Sequence, residues 1–514
     1  TEMNRSLAIH PNSDVPAIQH VPPEILLEVV CYYAQPRTYL RDLVGLTLVC
    51  RWWRIIIEGA AFLWGTINAA EGTSVVRTAL QKAKDTLLDL TFDEHTANTT
   101  REVFFKLVGE RIGRWRSFVV ILRSGHWGFV LEDIKKDNAP NLETLQLSGG
   151  TGGERGDDMV TLLGGLSGPP GLKDLTLAHI QINIAPLQLG GLRSLTLEET
   201  LVMSSAEMVD IIMGSPEIKS IRLHSLEFWE DEVPSQQAFS HPDGSGNPST
   251  QLASLIHLSL HDIPYSFLNR LLLAIDAPQL QTLEVGCAPQ EPQAAQLLLE
   301  GLHHHRPTLA RLTADAQTCT LTFPYRGNYK IIIGGLRIML DMYELPVDHS
   351  QETIDRLFSH LGTPVKDLPF HLELLNWESD VSHLEWLAHR ITVTSLNIYS
   401  HPRWITGLKR LLGSLSQPTV SDPVIWLFPQ VEVIKANLFW LDDEGPDFVT
   451  MIKNRHSAKE EEGVTAPKSF REVWVSGAQS KYIASSPSIV REVVEEVRRV
   501  ANDADVYWEQ KKLP

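Results

Sequence analysis

The sequence has few cysteines, and no two of them stand at the spacing of a metal site. Cys31, Cys50, Cys287 and Cys319 are far apart in a chain of 514 residues. A disulfide scaffold and a zinc finger both need closely spaced cysteines, so both are disfavoured. Scattered cysteines are typical of a reducing compartment, and we expect a cytoplasmic or nuclear protein.

Positive charge is scarce as well. The chain has 45 Lys and Arg against 63 Asp and Glu, which gives a formal net charge of −18 at pH 7. Because phosphate contacts need clustered cations, no nucleic-acid partner is expected. With 43% hydrophobic and 21% charged residues, the composition is that of a globular protein. The length fits about three domains or one elongated repeat array.

Long hydrophobic runs are missing. The two richest apolar segments, residues 21–34 and 330–343, are interrupted by Pro, Gly and charged residues. A membrane-spanning helix needs about 20 apolar residues, so no membrane span is expected. Residues 1–20 lack the basic start and apolar core of a secretory signal, and they are predicted to be a flexible polar tail.

Catalytic motifs are also missing. The sequence has no Gly-x-Gly-x-x-Gly, Gly-Lys-Ser/Thr, Gly-x-Ser-x-Gly or His-Glu-x-x-His, so no cofactor, no resident metal and no catalytic residue is predicted. Two weaker patterns stay open. The run His303–His305 is either a metal site or a solvated turn before Pro307. The arginines near one predicted strand either bind a phosphorylated ligand or form a solvated edge; they are Arg111, Arg114, Arg116 and Arg123.

The segment 21–67 predicts a small helical module. Pro22, Pro23 and Glu24 are typical of a helix start. Apolar residues then recur at helical spacing, first around Ile25 to Tyr32 and again from Leu40 to Trp64. A module of roughly 45 residues is small for an independent core. Its excess apolar surface is expected to cover either the rest of the chain or a partner.

The order of these residues closely resembles the F-box. The resemblance consists of Val21-Pro22-Pro23-Glu24-Ile25-Leu26, then Leu43 to Val49, then Cys50-Arg51-Trp52-Trp53, then Leu63-Trp64. The F-box is a three-helix module that docks on the Skp1 adaptor of cullin-based ubiquitin ligases. Two positions depart from the family pattern, since Val21 stands where Leu is commoner and Trp52 where a basic residue is usual. The resemblance implies that the adaptor-facing surface and its supporting core contain Pro22, Ile25, Leu26, Leu46, Val49, Trp53 and Trp64.

A degenerate repeat occupies most of the remaining chain. The pattern is apolar-x-x-apolar-x-apolar, and its first positions from Leu87 to Leu309 follow one another at 20 to 37 residues. These spacings are close to the ~20–29 residues of a leucine-rich repeat, which combines a short strand with a helical or irregular return. The clear copies start at Leu142, Leu172, Leu192, Ile218, Leu255, Leu280 and Leu309. Weaker copies start at Leu87, Trp115, Val365, Val393, Val431 and Phe470.

The repeat departs from the usual leucine-rich form. No Asn or Cys follows the third apolar position; Gly150, Ile180, Thr200, Leu226, Ile263, Ala288 and Gln317 stand there instead. The horseshoe is therefore expected to be irregular, and an ordinary α/β domain stays open as the alternative. A poorly matching unit around Lys330–Ile333 is expected in the gap after Leu309. An F-box followed by such repeats looks like the large F-box family of mushroom-forming fungi.

The last segment predicts one amphipathic helix. From Pro487 onwards, apolar residues form a stripe that ends near Ala504. Exposed solenoid ends need covering, so residues 486–514 are predicted to cap the last repeat; a partner-binding helix is the alternative. Three further segments are predicted to be exposed loops: Ser148–Gly171, Glu230–Ala253 and Asn454–Pro467.

Together these patterns predict an α/β fold, an irregular leucine-rich-repeat solenoid or horseshoe preceded by a three-helix F-box-like module. The expected divisions are residues 1–20 (tail), 21–67 (module), 68–485 (repeats) and 486–514 (capping helix). By resemblance, the chain is a non-catalytic substrate receptor that binds an Skp1-like adaptor and an unknown protein substrate. The alternatives are a binding scaffold with no ligase and an enzyme with a cleft between repeats.

Overall fold

A computed structural model describes residues 21–34, 38–123, 139–149, 160–161, 171–180, 182–183, 189–202, 205–228, 250–287, 294–323, 328–341, 347–361, 368–375, 382–399, 405–419, 424–438, 441–460, 464–477, 487–501, 503–508 and 511–512. The chain divides into two compact units, Thr1–Ser215 (unit 1) and Pro216–Pro514 (unit 2). Both units combine helices with mostly parallel strands, and unit 1 begins with three helices.

The helices begin and end as follows: α1 (Pro23–Tyr33), α2 (Tyr39–Thr47), α3 (Arg51–Gly59), α4 (Thr73–Lys82), α5 (Arg101–Gly109), α6 (Ser205–Met213), α7 (Tyr265–Ala274), α8 (Ala294–His304), α9 (Arg306–Ala314), α10 (Val347–Leu361), α11 (Ser382–Ala388), α12 (Ile405–Leu415), α13 (Leu441–Ser457) and α14 (Pro487–Val500). Short 3₁₀ turns cover Ala61–Gly65, Ala69–Glu71 and Ile112–Arg114.

The strands are β1 (Thr66–Asn68), β2 (Leu88–Asp93), β3 (Trp115–Ile121), β4 (Thr144–Ser148), β5 (Val160–Thr161), β6 (Asp174–Ala178), β7 (Ile182–Asn183), β8 (Ser194–Glu198), β9 (Leu201–Val202), β10 (Ser220–His224), β11 (Glu227–Phe228), β12 (Thr250–Gln251), β13 (His257–His261), β14 (Ile275–Asp276), β15 (Thr282–Cys287), β16 (Cys319–Phe323), β17 (Asn328–Ile333), β18 (Leu336–Asp341), β19 (Pro369–Leu375), β20 (Thr392–Tyr399), β21 (Val433–Leu438), β22 (Glu472–Gly477), β23 (Asp505–Trp508) and β24 (Lys511–Lys512).

The three-helix module has its own small core. Helix α3 contacts both α1 and α2, and Trp64 is completely buried beneath them. The indole Nε1 of Trp64 donates a hydrogen bond to the Ile57 carbonyl at 2.9 Å. The other buried apolar side chains of the module are Leu26, Val30, Ala34, Leu40, Leu43, Ile57, Leu63 and Ile67.

The parallel sheet of unit 1 follows the repeat. Strands β1, β2, β3, β4, β6 and β8 pair in parallel in chain order. In β8, Leu195 and Leu197 are buried while Ser194 and Thr196 are half-exposed, as expected for a strand with one solvated face. The preceding Leu192 is also buried. The repeat pattern therefore predicts strand positions well in this unit.

Unit 2 continues the parallel arrangement but contains a hairpin. Strands β10, β13, β15 and β18 pair in parallel, and so do β16, β19, β20, β21, β22 and β23. The two sets are joined by β17, which pairs antiparallel with both β18 and β16. The repeat pattern alone predicts only parallel pairing, so the hairpin is a departure from it.

One predicted repeat copy is wrong. Leu309, Leu312 and Ala314 lie in helix α9, not in a strand. Leu309 and Leu312 are three residues apart, a spacing that places both on the buried face of a helix as readily as in the repeat pattern. Pro307 in the first turn and Ala314 at the end both favour the helix. The strand of this stretch is β16, which follows.

The poorly matching unit around Lys330–Ile333 is part of the hairpin. Ile333 pairs with Leu336 across a two-residue turn, Gly334–Gly335. Gly334 has φ of +56°, and a Cβ on Gly335 would lie 2.0 Å from the Gln281 carbonyl oxygen. Both positions therefore require glycine. In place of the expected single irregular unit, the chain forms two strands, β17 and β18, joined by this turn.

A left-handed residue follows each of several parallel strands. His179, Glu199, Ser225 and Asp262 have φ between 44° and 53°. The next residue in each case is buried; these are Ile180, Thr200, Leu226 and Ile263. They occupy the position where a leucine-rich repeat usually has Asn or Cys. At these four positions a buried apolar or threonine side chain therefore stands in place of the usual Asn or Cys. Gly150 and Ala288 lie outside the described residues.

The C-terminal segment is not a helix alone. Helix α14 buries Val493, Val494 and Val497, as the stripe predicted. The chain then continues into β23, which pairs in parallel with β22, and into β24, which pairs antiparallel with β23. Helix α14 therefore connects two strands of the sheet. Two of the predicted loops, Ser148–Gly171 and Glu230–Ala253, lie mostly outside the described residues. Helix α13 extends into the third predicted loop, Asn454–Pro467.

A buried arginine fixes one turn of unit 2. Arg455 on α13 is 2% exposed. Its Nη1 and Nη2 donate hydrogen bonds, each of 2.9 Å, to the carbonyls of Leu427 and Phe428, and Phe428 has φ of +51°. The guanidinium lies near the rings of Trp426 and Phe470. Burial lowers the pKa of Arg455 to about 10, so the side chain stays charged at neutral pH.

We expect Arg455→Met to destabilise unit 2 by about 2–5 kcal/mol, because two buried carbonyls lose their donors. Urea unfolding followed by tryptophan fluorescence measures the change. Arg410→Met is the matched control, since Arg410 is exposed on α12. Equal stability of the two variants would contradict a structural role for Arg455.

Candidate adaptor-binding surface

The N-terminal module exposes large apolar side chains. Tyr32 is 94% exposed, Leu48 71% and Ile55 70%. The other exposed large apolar residues between positions 21 and 67 are Ile25, Val29, Tyr33, Val44, Val49 and Phe62. Clustered exposure of this kind usually marks an interaction site on a folded protein.

Helix α1 is apolar on two faces. Leu26 and Val30 are buried in the module, whereas Ile25 and Val29 are 48% and 51% exposed. Helix α2 repeats the pattern, with Leu40 and Leu43 inside. A helix that is apolar all round is normally buried on all sides. The outer faces of α1 and α2 are thus suited to cover by another polypeptide.

The structure places the predicted adaptor-binding residues in three environments. Pro22, Ile25 and Val49 are exposed. Leu46 and Trp53 are half-buried. Leu26 and Trp64 are buried and belong to the core of the module. In the free chain, only the first group offers a full side chain to a partner; the assignment of all seven to adaptor binding stays a prediction.

Trp53 has an unusual environment. Its indole Nε1 is buried and has no hydrogen-bond partner within the described part of the chain. An unpaired buried donor costs roughly 1–3 kcal/mol. Trp64, by contrast, satisfies its Nε1 on the Ile57 carbonyl.

A buried carboxylate holds the start of α2. Glu71 accepts a hydrogen bond from the Leu40 backbone N–H at 2.6 Å and one from Arg41 at 2.8 Å. These are free donors of the first helical turn, where a negative charge is favourable. Burial raises the pKa of the Glu71 carboxyl, although both hydrogen bonds and the Arg41 charge oppose that rise. Glu71 could not be predicted from the sequence, because it lies 31 and 30 residues after the two amides that it caps.

A second candidate surface is the polar face of the strands in unit 2. Because parallel strands pair in register, outward side chains align in rows across the sheet. One such row runs from Glu373 through Asn397 and Lys435 to Trp474 and Tyr507. The rings of Trp474 and Tyr507 stack at 3.9 Å, and Lys435 Nζ lies 5.2 Å from the Trp474 ring centre.

The structure does not bring either of the two weaker sequence patterns, the histidine run or the group of arginines, together as a binding site. His303 and His304 are exposed at the end of α8, while His305 Nε2 bonds the Leu272 carbonyl at 2.6 Å. Arg114 donates to the Thr86 carbonyl and Arg116 pairs with Asp89. Within the ranges that the structure describes, no group of three or more His, Cys, Asp or Glu side chains is arranged to hold a metal ion.

Residues 18–69 match the protein family described as F-box-like. The N-terminal module is therefore an F-box-like domain, and F-box domains generally bind Skp1-like adaptors. No curated protein matches the sequence. Among the described helices, none has both the length and the apolar character that crossing a bilayer requires.

We expect Glu71→Ala to loosen the start of α2, since two N–H groups lose their acceptor. The loss of such a cap costs roughly 0.5–2 kcal/mol. Hydrogen–deuterium exchange of the Leu40 and Arg41 amides is then faster by up to about 30-fold, since 1.4 kcal/mol corresponds to a factor of about ten. Glu58→Ala removes a partly exposed ion pair with Lys82 instead and should leave these amides unchanged. Unchanged exchange in Glu71→Ala would show that the cap does not support α2.

Proposed function

We propose that the chain is the substrate-recognition subunit of an Skp1–cullin–F-box ubiquitin ligase. The F-box-like domain attaches to the Skp1-like adaptor, and the strand face of the α/β region binds a protein substrate. Such a receptor performs no chemistry itself, because it acts by raising the effective concentration of substrate near the conjugating enzyme. Its place of action is the cytoplasm or the nucleus.

The exposed apolar faces of α1 and α2 carry this proposal. Burying one Ile, Val or Leu side chain contributes about 1.5–3 kcal/mol, and the module exposes several of them. Helix-in-groove binding uses such anchors at helical spacing. Ile25 and Val29 have that spacing on α1, with Tyr32 one turn further along.

The repeat interpretation supports the second half of the proposal. Regular parallel strands joined by helices and irregular returns are the arrangement expected of a leucine-rich-repeat solenoid, and the outward rows leave many side chains free to vary. We therefore assign substrate binding to the strand face. A degenerate repeat after an F-box also fits the large F-box family of mushroom-forming fungi.

The adaptor half is tested with Ile25→Asp and Val49→Asp in the full chain. Both side chains are about half exposed, so the module should stay folded while a buried interface would receive a charge. We expect the pair of substitutions to weaken capture of a purified Skp1-like adaptor more than about 100-fold, since each anchor is worth about 2 kcal/mol or more. Binding is measured by pull-down and calorimetry.

Val103→Asp is the matched control, because Val103 is a 38% exposed apolar residue on α5, outside the module. It should bind the adaptor as the unchanged chain does. If Ile25→Asp and Val49→Asp also bind normally, neither the outer face of α1 nor the segment that follows α2 is part of the docking surface. If the unchanged chain captures no adaptor, the chain is a binding scaffold without a ligase.

A further inference from the structure

The first apolar residue of several repeat copies is held by a backbone hydrogen bond. Its N–H donates to the carbonyl three residues earlier, at 3.0 to 3.2 Å, and this bond closes the turn before the strand. The copies that share the bond start at Leu142, Leu192, Leu255, Leu280 and Val431. Because neither backbone group titrates, pH does not act on this bond directly.

The copy that starts at Phe470 uses a side chain instead. The Phe470 N–H donates to Nε2 of His456 at 3.3 Å, and His456 lies in the last turn of α13. The rings of these two residues lie 5.7 Å apart, and the Arg455 guanidinium lies 5.4 Å from the ring of the same phenylalanine. The imidazole of His456 therefore joins the end of α13 to the residues just before β22.

His456 can accept this hydrogen bond only while its ring is neutral. In the neutral ring Nε2 carries a lone pair, whereas the protonated ring has an N–H on both nitrogens and no acceptor. Protonation would point one N–H group at another and would add a positive charge beside Arg455. The Phe470 N–H would then lack the partner that a backbone donor in a folded chain requires.

The surroundings of His456 disfavour its protonation. Burial lowers the pKa of His456, the Asp503 carboxylate opposes this, and the Arg455 charge lowers the pKa further. Among the described residues, Asp503 and Arg455 are the charged groups that act on the ring. Since the unfolded chain takes up this proton more readily, the stabilisation is complete above the ordinary pKa of ~6.5. It is lost as the pH falls from ~6.5 through the lowered pKa.

We propose that His456 is an acid-sensitive link between α13 and the start of β22. When its ring takes up a proton, the Phe470 N–H is released and this end of β22 opens locally, while turns held by backbone bonds stay closed. Strand β22 also carries Trp474, whose ring stacks on Tyr507 of β23. Acidification therefore loosens one defined part of the strand face. This inference rests on the fold and does not depend on the ligase assignment.

The test follows hydrogen–deuterium exchange of the Phe470 amide in the full chain, with each rate corrected for intrinsic exchange. Measurements are made at about pH 7.5 and about pH 5, on either side of the ordinary pKa of histidine. We expect protection of this amide to fall about two- to tenfold at the lower pH, which corresponds to the loss of one hydrogen bond. The Leu280 amide, which donates to the Ala277 carbonyl, should keep its protection.

His456→Gln is the matched variant, because a glutamine oxygen can accept the same hydrogen bond and does not titrate. Protection of the Phe470 amide should then be the same at both pH values. In His456→Ala, which has no acceptor, it should be low at both. His389→Gln is the control, since it removes an exposed histidine just after α11 and should respond to pH as the unchanged chain does.

Three outcomes would overturn the inference. The first is protection of the Phe470 amide that does not change with pH in the unchanged chain. The second is a fall of equal size in His456→Gln, which would assign the effect to another group. The third is an equal fall at the Leu280 amide, which would show that acid loosens the chain generally.

Discussion

Three helices of nine to eleven residues cannot bury apolar residues on two faces at once. Leu26, Val30 and Trp64 fill the core that these helices share. Ile25 and Val29 are then left on the outside of α1, because they alternate with the core residues along the same helix. An apolar outer face is costly in water, so its retention points to a second polypeptide. The proposed attachment to an adaptor follows from this geometric constraint.

A docking surface also has to be held in place before the partner arrives. Rigid presentation reduces the entropy that binding must overcome. Here Trp64 is fixed through its bond to the Ile57 carbonyl, and Glu71 fixes the start of α2. Glu71 belongs to the 3₁₀ turn that follows β1. The module is therefore tied to the first strand of the sheet region in unit 1.

The strand positions could be predicted from the sequence because the repeat and the strand make the same demand. Leu195 and Leu197 must point inwards, and the residue between them must be suited to solvent exposure. The exposure of apolar residues on the module could also be predicted, because the module has more apolar residues than so small a core can bury. Leu309 and Leu312 misled the prediction because a spacing of three residues suits a helix as well as the repeat.

Other features depend on contacts that are distant in sequence. Glu71 caps a helix that starts some 30 residues earlier, and Arg455 meets carbonyls some 27 residues before it. Neither pair has a local signature. The hairpin did have one: Gly334–Gly335 between two runs of alternating residues is a two-residue turn signal. The same glycines also interrupt the apolar segment 330–343, so the pattern has two interpretations.

The parallel sheet separates the demands of folding from those of recognition. Inward positions of the strands are filled mostly by Leu, Ile, Val and Phe, and these side chains fill the core whichever residues point outward. Outward positions such as Arg222 and Glu373 are then free to differ from strand to strand. Because register aligns them in rows, a change in one residue alters a defined point of the surface.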